Sequence, residues 1–209
     1  MKTKTTRISF TLAIGWLIAG VALAGTLEPP GPPAPTMVTQ QQLWDAVKPP
    51  GCFNNNPTGL RFVDCENGAV QDTQTGLIWL KNANCLPASD WAAANRRAAK
   101  LADGTADGTA CGLSDGSKAG MWRLPTVAEW QAIVDPYPSA CNPALPAASG
   151  TGCYSTGPWA TGVSSYYYWS STSVVGNPDR AWEPYLINGY IGYYSKTYTD
   201  HVWPVRGGP

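Results

Sequence analysis

The sequence predicts an α+β domain, two helices flanking short antiparallel strands with a long irregular loop region, stapled by disulfides. Three observations predict it. Two segments with helical spacing of apolar residues lie among short runs with strand-like alternation. Six cysteines, an even number, follow an export-type leader. The 209 residues include 22 Gly, 19 Pro, 10 Trp and 10 Tyr with only 13% charged residues, a loop-rich aromatic composition that excludes a helical bundle or coiled coil. At 44% hydrophobic residues the chain can still bury a core, and its length fits one domain with a tail.

The N-terminus reads as a signal peptide over residues 1–24: Lys2, Lys4 and Arg7 precede an apolar run from Ile8 to Leu23, and Ala22 and Ala24 are the small residues a peptidase accepts. No membrane span is expected once it is cleaved, and the product is expected to be secreted, periplasmic or displayed at the cell surface. Residues 25–50 read as a Pro-rich linker, since proline fixes an extended backbone and removes donors. The collagen-like run Pro29-Pro30-Gly31-Pro32-Pro33 stops after one repeat, and Gln40–Val47 has the pattern of a short helical turn. The folded domain is expected over residues 51–209.

Within it, Arg61–Val63, Ala69–Asp72 and Leu77–Leu80 read as strands, the last two joined by a turn at Thr73–Gly76. Ser89 or Asp90 caps a predicted helix from Trp91 to about Ala102, with Trp91, Ala94, Ala98 and Leu101 on one face and Arg96, Arg97 and Lys100 on the other. Thr126 and Glu129 form a capping box for a second helix that presents Val127, Trp130, Ile133 and Val134 before Pro136. Later strands are expected at Tyr167–Ser170, at Arg180–Ile187 hairpinned to Tyr190–Lys196 about Asn188-Gly189, and at Val202–Arg206. The short repeat Ala102-Asp-Gly-Thr, Ala106-Asp-Gly-Thr reads as a lengthened surface loop.

Six cysteines permit fifteen disulfide maps. Neighbour pairing, Cys52–Cys65, Cys85–Cys111 and Cys141–Cys153, is preferred because its loops are short and do not interlock. Lys2, Lys4 and Arg7 account for three of 14 basic residues, so the remaining 11 face 14 acidic ones, a formal charge near −3. That balance, with scattered cations, argues against nucleic acid as a partner.

Catalytic chemistry finds few parts. His201 is the sole histidine and no G-x-S-x-G occurs, so a nucleophilic triad has one imidazole to build on. Asp179 and Glu183 are conceivable paired carboxylates for glycoside hydrolysis. Asn177-Pro178-Asp179 carries oxygen ligands suited to calcium, but it is an ordinary turn sequence and is read as one. Asp103, Asp107 and Asp115 lack EF-hand spacing and no C-x-x-C occurs, so neither a metal nor a cofactor is expected. The remaining lead is aromatic. Eleven Tyr and Trp crowd residues 166–203, of which Trp169 and Trp182 are expected inside and Tyr166, Tyr190 and Tyr193 outside, where rings can stack on sugars.

Six ordered motifs carry a resemblance: Thr75-Gly-Leu-Ile-Trp79, Cys111-Gly-Leu-Ser-Asp-Gly-Ser117, Trp122-Arg123-Leu124-Pro125-Thr126, Tyr168-Trp169-Ser-Ser-Thr172, Ala181-Trp182 and Val202-Trp-Pro-Val-Arg206. Together they resemble the C-terminal domain family of the Legionella collagen-like adhesin, from about Arg61 to Arg206. The resemblance implies a C-type-lectin-like fold in a bacterial surface or secreted domain and, for the adhesin itself, trimerisation and binding of sulfated glycans. Trp79, Trp122, Arg123, Leu124, Pro125, Trp169, Trp182 and Arg206 are then structural: Trp122 and Leu124 buried, Arg123 paired to a carboxylate or carbonyl, Pro125 launching the helix. The resulting expectation is a noncatalytic, adhesin-like module recognising a glycan or a surface protein through Tyr166, Tyr190 and Tyr193 or the cations Arg96, Arg97 and Lys100, with homo-oligomerisation admitted. The alternative is a structural or assembly module of the cell surface. An enzyme of the formylglycine-generating type, which Arg123–Thr126 with Glu129-Trp130 also resembles, is disfavoured because no cysteine follows Cys153.

Overall fold

The computed structural model describes residues 59–134 and 141–208. The leader, the linker, the Gln40–Val47 turn, Cys52 and Pro136 lie outside the described residues. The chain runs β1 (Phe62–Asp64), β2 (Ala69–Asp72), β3 (Leu77–Leu80), β4 (Leu86–Ser89), α1 (Trp91–Lys100), α2 (Ala106–Ala110), α3 (Val127–Val134), a 3-10 turn at Tyr154–Thr156, β5 (Ser173–Val174), β6 (Asn177–Tyr185), β7 (Tyr190–Ser195), β8 (Asp200–Val202) and β9 (Val205–Gly207). Three sheets result, β1-β2-β3-β9, β4-β8 and β5-β6-β7, and every named pair is antiparallel.

Local chemistry accounts for the helix ends. Asp90 caps α1, its carboxylate accepting from Ala93 N–H at 2.8 Å, and the buried face is Ala94, Ala98 and Leu101. At α3 the box is reciprocal: Thr126 Oγ1 accepts from Glu129 N–H at 3.2 Å and Glu129 Oε2 accepts from Thr126 N–H at 2.7 Å. Arg123 clamps the same carboxylate through two bonds of 2.7 and 2.6 Å. Burial alone would raise the Glu129 carboxyl, but the bonds from Arg123 and Thr126 with the guanidinium charge outweigh it and hold it below the usual range.

The core is a tryptophan cluster. Trp79 meets Trp130 at 5.2 Å and Trp203 at 5.1 Å edge to face, Trp159 stacks on Trp203 at 5.4 Å, and Phe62 stacks on Trp159 at 4.1 Å. Such pairs add about 0.5–1.5 kcal/mol each beyond the area they bury. Indole N–H groups find carbonyls across the fold, Trp203 at Leu80 (2.7 Å), Trp159 at Pro146 (3.0 Å) and Trp169 at Ser89 (2.9 Å). Two buried ion pairs flank the cluster, Arg61–Asp72 at 2.8 Å and Arg206–Asp115 at 3.0 Å. Cys85–Cys111 and Cys141–Cys153 are disulfides, and Cys65 is disulfide-bonded as well.

Several sequence expectations are corrected. There are three described helices rather than two, because the second copy of the repeat is α2: Thr105, which ends the first copy, accepts from Gly108 N–H at 3.0 Å and caps it. Tyr167–Ser170 is not a strand. It alternates between partners, Tyr167 bridging Tyr185 and Tyr168 bridging His201, so no continuous ladder forms. Val202–Arg206 divides at Pro204, which has no N–H, into β8 on β4 and β9 on β3. Strands β4 and β5 were not anticipated. Asn177-Pro178-Asp179 is the extended start of β6, and the turn before it is at Val175-Gly176, where Gly176 takes φ +81°. Trp182 is half-buried because strand alternation turns it away from buried Ala181 and Glu183.

Candidate functional site

The β6–β7 hairpin organises the late aromatic segment. Its register pairs Arg180 with Ser195, Ala181 with Tyr194, Trp182 with Tyr193, Glu183 with Gly192 and Tyr185 with Tyr190. Directly opposed residues share a face, so Ala181, Glu183, Tyr185, Tyr190, Gly192 and Tyr194 lie on one side. Arg180, Trp182, Tyr193 and Ser195 lie on the other. On that second side Tyr193 packs edge to face on Trp182 at 5.3 Å, with the Arg180 guanidinium 5.7 Å from its ring centre. The hairpin closes through Gly189 N–H to Tyr185 O at 2.9 Å, with Gly189 at φ +78°. Gly192 leaves room for Tyr190 on the same face: a Cβ there would lie 2.7 Å from a ring carbon of Tyr190, which would have to turn aside.

On the first face a cavity of about 230 Å³ is lined by Tyr167, Glu183, Tyr194, Tyr198 and Asp200. Tyr167 is backed by Tyr185, stacked at 4.3 Å, while Tyr194 and Tyr198 meet at right angles at 4.5 Å to form a corner. Glu183 is only 3% exposed, and its Oε2 has no hydrogen-bond partner among the described residues. Burial, then the neighbouring Asp200 carboxyl and the hydrogen bond to it, push Glu183 up to about 8. Asp200 is raised by its own burial, with the bond from Glu183 working the other way. Burial thus holds both neighbouring carboxyls above the ordinary range, and the two titrate as a coupled pair.

The cations Arg96, Arg97 and Lys100 line a separate cavity of about 320 Å³ with Ala93 and Asp107. Arg97 and Lys100 occupy the last turn of α1, where positive charge complements the helix dipole, and Asp107 brings a carboxylate into the same space.

Of the tyrosines singled out, Tyr166, Tyr190 and Tyr193 are 63%, 64% and 44% exposed, but Tyr190 and Tyr193 are on opposite faces and cannot form one platform. Sequence reasoning missed Tyr194 and Tyr198, exposed at 49% and 55%, and the pairing of Glu183 with Asp200 rather than Asp179. Parity along β7 was the available signal for Tyr194. His201 lies against Tyr168 at 5.0 Å, its pKa lowered by burial. Trp79, Trp122, Leu124, Trp169 and Arg206 are all buried, and Arg123 pairs with Glu129.

Among the described residues no helix is long and apolar enough to cross a membrane. The family model described as the Lcl C-terminal domain matches residues 68–206. No curated protein matches the chain.

Proposed function

The chain belongs to the Lcl C-terminal domain family, and from that premise we propose that it is a noncatalytic, adhesin-like recognition domain, secreted or displayed at the cell surface, with a C-type-lectin-like fold, that binds a glycan through its exposed tyrosines. Family membership suggests an adhesin-like surface domain, and one observation carries the finer reading. Trp79, Trp122, Trp130, Trp169 and Trp203 are buried, whereas Tyr166, Tyr190, Tyr193, Tyr194 and Tyr198 stand 44–64% exposed within one stretch of chain. An exposed ring is retained at a cost in apolar hydration that a stacking partner removes, and its hydroxyl supplies a polar contact.

Glycan-array screening of the exported chain, followed by affinity titration over about 0.05–0.5 M salt, tests the reading. Stacking predicts weak salt dependence, with Tyr190→Ala and Tyr194→Ala more damaging than Arg96→Ala. The cavity around Arg96, Arg97 and Lys100 favours a second reading, an anionic glycan held by charge. A steep salt slope with Arg96→Ala the most damaging variant would establish that one instead. Self-association with no glycan bound would favour an assembly module.

A further inference from the structure

The cavity between β6 and β8 has the composition of a cation site rather than of a sugar-stacking surface. A buried carboxyl oxygen without a donor is a costly state, and nearly all buried polar groups in folded proteins are partnered. Glu183 Oε2 has no hydrogen-bond partner apart from what the Asp200 carboxyl beside it offers, inside a cavity whose other walls are three phenol rings. The cations of this hairpin do not neutralise it. Arg180 lies over Tyr193 on the opposite face, and Lys196 donates to Ser173 Oγ and Pro178 O, both at 2.7 Å, with its ammonium 3.9 Å from the Trp91 ring centre.

We propose that Glu183 and Asp200, walled by Tyr167, Tyr194 and Tyr198, form a binding site for an alkylammonium group. The acidic pair supplies the negative charge and hydrogen-bond acceptors. The phenol faces supply the ring quadrupoles that attract a weakly hydrated organic cation, most strongly where water is excluded. At about 230 Å³ the cavity is below the ~300–1,000 Å³ of drug-sized ligand sites and suits an ammonium head with a short carbon stem. A hard divalent ion is the poorer match. Calcium takes about 6–8 oxygen ligands, and no group of three or more His, Cys, Asp or Glu able to hold a metal occurs among the described residues. An ammonium donating to the pair favours the charged carboxylates that burial disfavours, so binding is expected to lower the pair's titration and release protons. The titratable groups facing Glu183 are Asp200 on β8, Tyr194 on β7, Tyr198 between them, and Tyr167 backed by Tyr185.

The site shares Tyr194 and Tyr198 with the glycan reading but not the acidic pair, so its test turns on charge. The exported chain is titrated calorimetrically with n-butylammonium, glucosamine, N-acetylglucosamine and Nα-acetyllysine amide, in two buffers of different ionisation enthalpy. The ammonium probes are expected to bind and release protons while N-acetylglucosamine, which has lost its charge, does not compete at this pocket. Glu183→Gln, nearly isosteric, is expected to weaken the ammonium probes about tenfold or more. Tyr198→Ala, at an exposed position, weakens them without threatening the fold and decides the matter should Glu183→Gln not fold. A stronger response to glucosamine assigns the cation to an amino sugar, and a stronger one to the lysine probe assigns it to a protein partner. No binding by any ammonium probe, binding unaltered in the variants, or calcium binding that Glu183→Gln abolishes would each overturn the proposal. Glycan-array binding that survives Glu183→Gln in a chain deaf to amines would overturn it while leaving the function proposed above intact.

Discussion

Arg206 and Asp115 come from segments far apart in sequence and meet as an ion pair of 3.0 Å with side chains 1% and 0% exposed. Around them Asp115 Oδ1 accepts from Ser117 N–H at 3.0 Å, Ser117 Oγ accepts from the Trp122 indole at 2.9 Å, and the Arg206 guanidinium lies 5.3 Å from the Trp122 ring centre. Replacing Arg206 by Met keeps much of the stem's volume and removes the charge, leaving the buried Asp115 carboxyl without its ion-pair partner. Breaking a buried pair from one side costs about 3–5 kcal/mol, and for a domain of this size that lowers Tm by roughly 6–20 °C. The double variant Arg206→Met with Asp115→Leu removes both charges and is expected to recover most of the loss, because apolar replacement of an entire pair is often neutral. It should remain about 1 kcal/mol below the parent for the lost bond to Ser117. Urea unfolding followed by tryptophan fluorescence gives all three stabilities and hence the coupling energy. A single variant losing under about 1 kcal/mol, or a double variant no more stable than Arg206→Met, would refute the argument that the pair is closed to water.

Removing Cys85–Cys111, which spans 26 residues, should cost roughly 3–4 kcal/mol by the chain-entropy relation. Removing Cys141–Cys153, which spans 12, should cost roughly 3, an ordering that paired Cys→Ala variants under denaturant can check. The acidic groups give opposite pH signatures. Glu129 is lowered on folding, so its contribution is present above its unfolded value and is lost as acid takes the pH through the folded one, a limb that Glu129→Gln should flatten. Glu183 is raised from 4.5 to about 8, so the folded state holds the extra proton and stability falls as pH rises across that interval. Glu183→Gln should therefore gain on the parent from pH 5 to pH 9 in thermal melts, and a constant difference would contradict the assignment.

What was legible in the sequence is what neighbouring residues decide. The β2–β3 turn, the Asp90 cap and the Thr126–Glu129 box each close within a few positions, so residue type and spacing suffice. Strand β4 was hidden because Leu-Pro-Ala-Ser has neither alternation nor a high β propensity, and it is extended because β8 pairs with it. The short helix α2 was hidden because Gly108 and Asp107 are poor helix formers, and the cap from Thr105 decides the outcome. The two faces of β7 were readable in principle. Once Asn188-Gly189 fixes the hairpin, parity places Tyr190 and Tyr194 together and Tyr193 opposite.

The acidic pair, by contrast, could not have been found from spacing, and the reason is the segment that looked like a strand. Tyr167 bridges Tyr185 on β6 while its neighbour Tyr168 bridges His201 on β8, so two consecutive residues tie together strands from separate sheets. That tie brings Glu183, two residues before Tyr185, to Asp200, one residue before His201. The same two residues also divide the roles of the aromatic stretch: Tyr168 is fully buried, its ring against Trp130 and Trp203, while Tyr167 forms a wall of the cavity. Alternation along a short irregular link thus joins the tryptophan core to the charged pocket.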